Sequence, residues 1–181
     1  MTTPEIAAKD AELLRVLDDG FREATRRSGS HLVCRAGCSS CCRGEFAITK
    51  LDAMRLQQGL AALPEADADR AARVRTRAEA YDAEREDEPC PVLDPETDTC
   101  DLYAYRPVTC RVFGPASVLD AGGIGTCELC YVGASDEEIA ACAVRFDPDG
   151  LEAALVAEMG ESELTVAGAI LGACGTDLDG G

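Results

Sequence analysis

Four cysteines stand within nine residues in the run Cys34-Arg35-Ala36-Gly37-Cys38-Ser39-Ser40-Cys41-Cys42, in a chain of 181 residues with eleven cysteines. Thiols this crowded have two common fates. They pair as disulfides in an oxidising compartment, or they ligate metal as thiolates in a reducing one. The first twenty residues speak for the second fate. A secretory signal needs about seven to fifteen uninterrupted apolar residues behind a basic start, and here Glu5, Lys9, Asp10, Glu12, Arg15, Asp18 and Asp19 interrupt the run. No stretch approaches the roughly twenty apolar residues of a membrane helix. The expectation is therefore a cytoplasmic chain with no membrane partner. Eleven is also odd, so a fully paired disulfide scaffold would leave one thiol over.

A thiolate is a soft ligand, and four of them suit Zn²⁺ or an iron–sulfur cluster. Cys34, Cys38 and Cys41 are spaced so that a tight turn can bring them to one centre, and Cys127 and Cys130 share that property. Cys41 and Cys42 are adjacent, and adjacent side chains diverge. They are expected to serve two different metals, or different irons. At least two ions follow, with the distant Cys90, Cys100 and Cys110 completing the shells and Cys127 or Cys130 as an eighth ligand. The competing reading of Cys90, Cys100 and Cys110 is ordinary buried thiols. For Cys142 and Cys174 the core or incidental reading wins. The Cys34-x3-Cys38-x2-Cys41 spacing also raises radical S-adenosylmethionine chemistry. Ser40 stands where those enzymes usually carry an aromatic residue, and the chain offers too few βα units for their barrel. Arg35, Arg43, Arg106 and Arg111 flank cysteines, where guanidinium groups offset thiolate charge and hydrogen-bond sulfur. His31, the sole histidine, sits three residues before Cys34 and reads as a loop residue more than as a ligand.

The elements that must position these thiols read as helices. Thr3 caps a helix over residues 4 to 28, with Pro4 at its first position and Leu13, Leu14, Leu17 and Phe21 at helical spacing. The cysteine run is a loop. Thr49 caps a second helix that closes at Pro64. Residues 65 to 87 read as a solvated helix with few core contacts, a spacer. Cys90–Asp94 and Thr99–Tyr103 flank the turn residues 95 to 98, which predicts a small hairpin. Pro107 opens a short helix carrying Cys110. Gly114, Pro115, Gly122 and Gly123 mark loops. Ser135 caps a helix over 136 to 145 with Glu138 in the capping-box position, and helices follow at 148–159 and 163–173, then a frayed tail from Gly175.

Composition narrows the class. Trp is absent and Phe and Tyr number four each, so Ala, Leu and Val must build a modest helical core. A metal centre can supply part of the missing core energy, because its binding free energy counts toward folding. The net charge is −17, with 34 acidic against 17 basic residues. A basic footprint for nucleic acid is absent, so no nucleic-acid partner is expected. A protein partner is left open, and no substrate follows. The fold expected is a mainly α, small helical domain with a short β-hairpin and irregular loops around a cysteine-rich metal centre. Its parts are an N-terminal helix (1–33), a cysteine-cluster core (34–134) and C-terminal helices packing on that core (135–181), one domain overall.

Cys34-x3-Cys38-x2-Cys41-Cys42, Cys90-Pro91-Val92-Leu93-Asp94, Cys100-Asp101-Leu102-Tyr103 and Arg106-Pro107-x2-Cys110-Arg111 follow one another in order, with the helix start Thr49-Lys50-Leu51-Asp52 between the first two. This series resembles the YkgJ-type cysteine-cluster family, the CxxCxxCC zinc- or iron-chelating domain, over about residues 34 to 113. The resemblance implies a bacterial metal-binding domain, often labelled an iron–sulfur oxidoreductase, and an eighth cysteine after the Cys110 motif. The cofactor expected is an iron–sulfur cluster, [4Fe-4S] ahead of others, or zinc. The leading role is a redox or accessory protein. The alternative is a zinc-stapled structural or interaction module without catalysis, and cluster-assisted methyl transfer comes third.

Overall fold

The computed structural model describes residues 3–160 and 162–172, so Cys174 and the tail from Gly175 lie outside the described residues. The chain is mainly α. Its helices are α1 (Pro4–Ser28), α2 (Lys50–Ala66), α3 (Ala68–Glu79), α4 (Val108–Val112), α5 (Asp136–Cys142), α6 (Leu151–Met159) and α7 (Val166–Ile170). Two short antiparallel hairpins join β1 (Leu93–Asp94) to β2 (Thr99–Cys100) and β3 (Ser117–Val118) to β4 (Ile124–Gly125). Among the described residues no helix is long and apolar enough to cross a membrane. The chain divides into two compact units, each drawn from two separated stretches: Met1–Arg35 with Val108–Leu155, and Ala36–Pro107 with Val156–Gly181. The sequence-based division falls elsewhere, after residues 33 and 134.

The first unit is organised on α1. The Thr3 hydroxyl accepts from the Ile6 N–H and Pro4 opens the helix, as the capping pattern predicts. Its solvent face is laced by Glu12–Arg15–Asp19 and by Glu23 with Arg26 and Arg27. Its other face buries Leu13, Leu17 and Ala24. Helices α4 and α5 pack on it. The buried guanidinium of Arg111 on α4 reaches Asp18 at 3.4 Å. Helix α5 carries the expected capping box of Ser135 and Glu138 but stops at Cys142. The β3–β4 hairpin turns at Gly122 and Gly123, where the sequence announced only a loop.

The second unit is a three-helix arrangement of α2, α3 and α7. Thr49 and Asp52 form a reciprocal capping box at the start of α2. The helix runs past Pro64 to Ala66, because Asp67 is both its C-cap and the side-chain N-cap of α3. The spacer reading of α3 is corrected by the structure: Ala71, Val74 and Ala78 are buried in the core with Leu56, Leu60 and Ile170. These three share one helical face, but alanines among arginines give little hydropathy signal. The predicted hairpin forms with Leu93 opposite Cys100 and Asp94 opposite Thr99, shorter than the sequence suggested.

Candidate metal centre

In the first unit the thiols are Cys34, Cys110, Cys127, Cys130 and Cys142. Cys127 and Cys130 are buried, and the Cys130 N–H donates to the Cys127 carbonyl (3.0 Å), which folds the Cys-x2-Cys segment into a turn. The Cys34 and Cys130 sulfurs stand 3.9 Å apart. Gly114 has φ 123, and a Cβ there would lie 2.7 Å from the Cys34 sulfur. Only glycine lets the backbone approach that sulfur so closely. The Gly114 carbonyl accepts from the Cys127 N–H at 3.1 Å, so one peptide turn lies against both cysteines. Tyr131, next after Cys130, holds a left-handed φ of 59. It is pinned from three sides: its N–H donates to the His31 carbonyl (3.0 Å), its ring stacks on His31 at 5.7 Å, and its hydroxyl accepts from the Ala116 N–H (3.0 Å) and meets the Ser28 hydroxyl. The Cys142 thiol donates to the Arg27 carbonyl at 3.2 Å and so is engaged in the core, as its place on α5 suggests.

In the second unit the thiols are Cys38, Cys41, Cys42, Cys90 and Cys100. The Cys42 N–H donates to the Ser39 carbonyl (2.9 Å), and the Cys42 carbonyl accepts from the Cys90 N–H (2.9 Å). Gly44 (φ 73) donates to the Glu88 carbonyl at 2.9 Å, and Arg43 forms a β-bridge with Pro89. The cysteine run is thereby bound to the segment that ends in Cys90. Cys100 follows across the hairpin, opposite Leu93, whose N–H donates to the Cys90 carbonyl at 2.8 Å.

The environments of these thiols differ. A hydrogen bond from Cys42 holds the Cys41 thiol down to about 6, against the opposing effect of burial. Burial pushes Cys90 up to about 12, helped by the negative charge of Cys100 and Cys41 and opposed by the Val92 N–H and Arg77. Burial also raises Cys100, with the Leu102 N–H and Arg106 acting the other way. Arg106 lies over the Tyr103 ring at 3.9 Å. Arg77 is the positioning residue that sequence reasoning missed. It donates to the Pro91 carbonyl at 2.8 Å and pairs with Asp101, so it ties α3 to the residues that directly follow Cys90 and Cys100. Its position in a polar run gave no sign of this.

No disulfide joins the ten described cysteines. Their sulfurs stand as pairs and neighbours: among the described residues no three Cys, His, Asp or Glu side chains form a ready metal-holding group. The donor chemistry nevertheless fits zinc or iron. Two thiolates on one tetrahedral ion, each at about 2.3 Å, stand about 3.8 Å apart, and Cys34 and Cys130 have that separation rather than the S–S bond length of about 2.05 Å.

A family model described as "Putative zinc- or iron-chelating domain", CxxCxxCC, matches residues 33–140, more than half of the chain. The chain belongs to that family, and its cysteine-rich region is a metal-binding domain of that kind. No curated protein and no solved structure matches the chain.

Proposed function

We propose that this chain binds zinc or iron through the thiolates of Cys34, Cys38, Cys41, Cys42, Cys90, Cys100, Cys110, Cys127 and Cys130, and that the bound ions serve first as structural staples of a cytoplasmic accessory module. The observation that carries this reading is the 3.9 Å approach of Cys34 and Cys130, residues 96 positions apart in the chain. That separation suits two ligands of a single tetrahedral ion. In a four-iron cube each thiolate sits on a different iron at a different corner, and sulfurs stand farther apart. The burial of Cys127 and Cys130 in a core cluster points the same way, because closed structural sites contribute directly to folding.

A second reading, an iron–sulfur cluster with a redox role, draws on the other unit. Five thiols there exceed the needs of one tetrahedral ion, and adjacent Cys41 and Cys42 suit different irons. Anaerobic purification with metal and acid-labile sulfide analysis separates the two. A colourless protein with stoichiometric zinc upholds the staple. Broad visible absorbance with matched iron and sulfide replaces it with the cluster. A protein that takes up neither metal overturns both.

A further inference from the structure

We infer that the nine proposed ligands form two separate centres, one inside each unit, and that Cys34 leaves its own sequence motif to join Cys110, Cys127 and Cys130. The inference rests on the metal-binding reading above and adds the allocation of ligands. The Cys34–Cys42 run looks continuous in sequence, yet the boundary between the units falls after Arg35. Cys34 thus belongs with Val108–Leu155, and Cys38, four residues on, belongs with Ala36–Pro107.

Contacts inside the first unit close around Cys34. Its sulfur lies 3.9 Å from that of Cys130, and the Gly114 backbone lies against it where no Cβ could fit. Gly114 in turn accepts from Cys127, and Cys127 from Cys130. Cys110 is on α4, four residues before Gly114, and α4 packs on α1. The Cys142 thiol donates to the Arg27 carbonyl, and the His31 ring stacks on Tyr131. Besides Cys142 the unit carries four cysteines, the number a closed tetrahedral site takes, and the ion would have to gather them, since among the described residues no three such side chains stand together. The second unit keeps Cys38, Cys41, Cys42, Cys90 and Cys100, joined by the Cys90 N–H to Cys42 carbonyl bond and the β1–β2 register.

The test uses the full chain loaded with Zn²⁺, alkylation under native conditions and mass spectrometry of each cysteine. In Cys34→Ser we expect Cys110, Cys127 and Cys130 to become reactive and zinc content to fall, while Cys90 and Cys100 stay protected. In Cys100→Ser we expect the reciprocal pattern. Cys142→Ser should keep both sets protected. Selective loss in either variant with the other set intact upholds the allocation. Reactive Cys38, Cys41 and Cys42 with protected Cys127 and Cys130 in Cys34→Ser overturns it. So does unchanged protection in Cys34→Ser, or loss of both sets in both variants. Wild-type chain that takes up no zinc overturns the metal-binding reading itself.

Discussion

The two units use cysteine in opposite ways. In the first, Cys127, Cys130 and Cys142 are themselves core residues, packed with Ala116 and Tyr131. In the second, Cys90 and Cys100 are only partly buried and lean on a cluster of Ile48, Leu56, Leu60, Val74, Leu102 and Ile170 that would be a core without them. Where thiols sit inside the packing, as Cys127 and Cys130 do, the unit gains order from whatever binds them. A unit whose thiols border an aliphatic core holds its shape by burying that core. The same residue type therefore builds the packing in one place and borders it in the other.

The contrast breaks most directly under chelation. Structural zinc contributes about 10–16 kcal/mol in small thiolate sites, as much as the whole stability of a domain, about 5–15 kcal/mol. Stripping metal from the full chain should strip amide protection from residues 108–142, while α2, α3 and α7 keep theirs. Hydrogen exchange read by mass spectrometry checks this. Equal loss of protection in both units would erase the distinction.

A chemical contrast inside the second unit is the next largest. In metal-free protein at pH 7 Cys41, held near about 6, is mostly thiolate, whereas Cys90, at about 12, is almost wholly protonated. The thiolate fractions differ by about five decades. Intrinsic nucleophilicity, which falls with pKa at a slope of about 0.4–0.5, returns two to three of those decades to Cys90. An aromatic disulfide reagent should therefore modify Cys41 about a hundredfold faster than Cys90. The advantage should shrink as pH rises above 6, where Cys41 is already ionised and only Cys90 still gains thiolate, and should level off below pH 6, where both thiolates decline in step. Comparable rates at pH 7 would show that the Cys41–Cys42 hydrogen bond does not persist in solution.

Much of the scaffold was legible from short-range rules. Thr3 with Pro4, Thr49 as the cap of the second helix, and Ser135 with Glu138 are cap chemistry that needs only near neighbours, and all three form as read, Asp52 completing the Thr49 cap in the structure. The Cys90–Cys100 hairpin was legible from its turn residues. The burial of α3 was not, because Ala71, Val74 and Ala78 acquire weight only from the α2 and α7 surfaces they meet. Nor was the division of the cysteine run. Spacing shows that Cys34 and Cys38 could share a centre, but only the positions of Gly114 and Cys130 reveal a partner for Cys34 far along the chain. The shielding of Gly114 is equally a three-dimensional fact, since its sequence context reads as any Gly-Pro loop.

Aliphatic packing supplies the counterpart to chelation. Leu56 is fully buried among α2, α3 and α7. Leu56→Ala should cost about 2–5 kcal/mol. The loss should appear as faster exchange in α2, α3 and α7, with residues 114–131 in the zinc-loaded protein unchanged. Loss of protection across 114–131 in this variant would mean that the first unit's order rests on the second unit's core and not on its own bound metal.

The smallest effect, and the most specific, concerns Tyr131. Its hydroxyl is the only atom added to the ring relative to phenylalanine, and it joins the Ala116 N–H to the Ser28 side chain at the end of α1. Ser28 keeps a second bond to the Ala24 carbonyl at 2.6 Å, so Tyr131→Phe orphans one buried N–H and not two groups. Such an orphan costs about 1–3 kcal/mol. The ring stacking on His31 and the left-handed turn after Cys130 both survive the change, so zinc stoichiometry should stay as in wild type while thermal stability drops. Tyr131→Ala removes the ring as well and should additionally loosen Cys130, seen as faster alkylation of Cys130 in the zinc-loaded chain. If Tyr131→Phe alone released metal, the hydroxyl would be holding the Cys127–Cys130 turn closed rather than merely filling a bond in the core, and the first unit's thiols would depend on a polar clasp more than on burial.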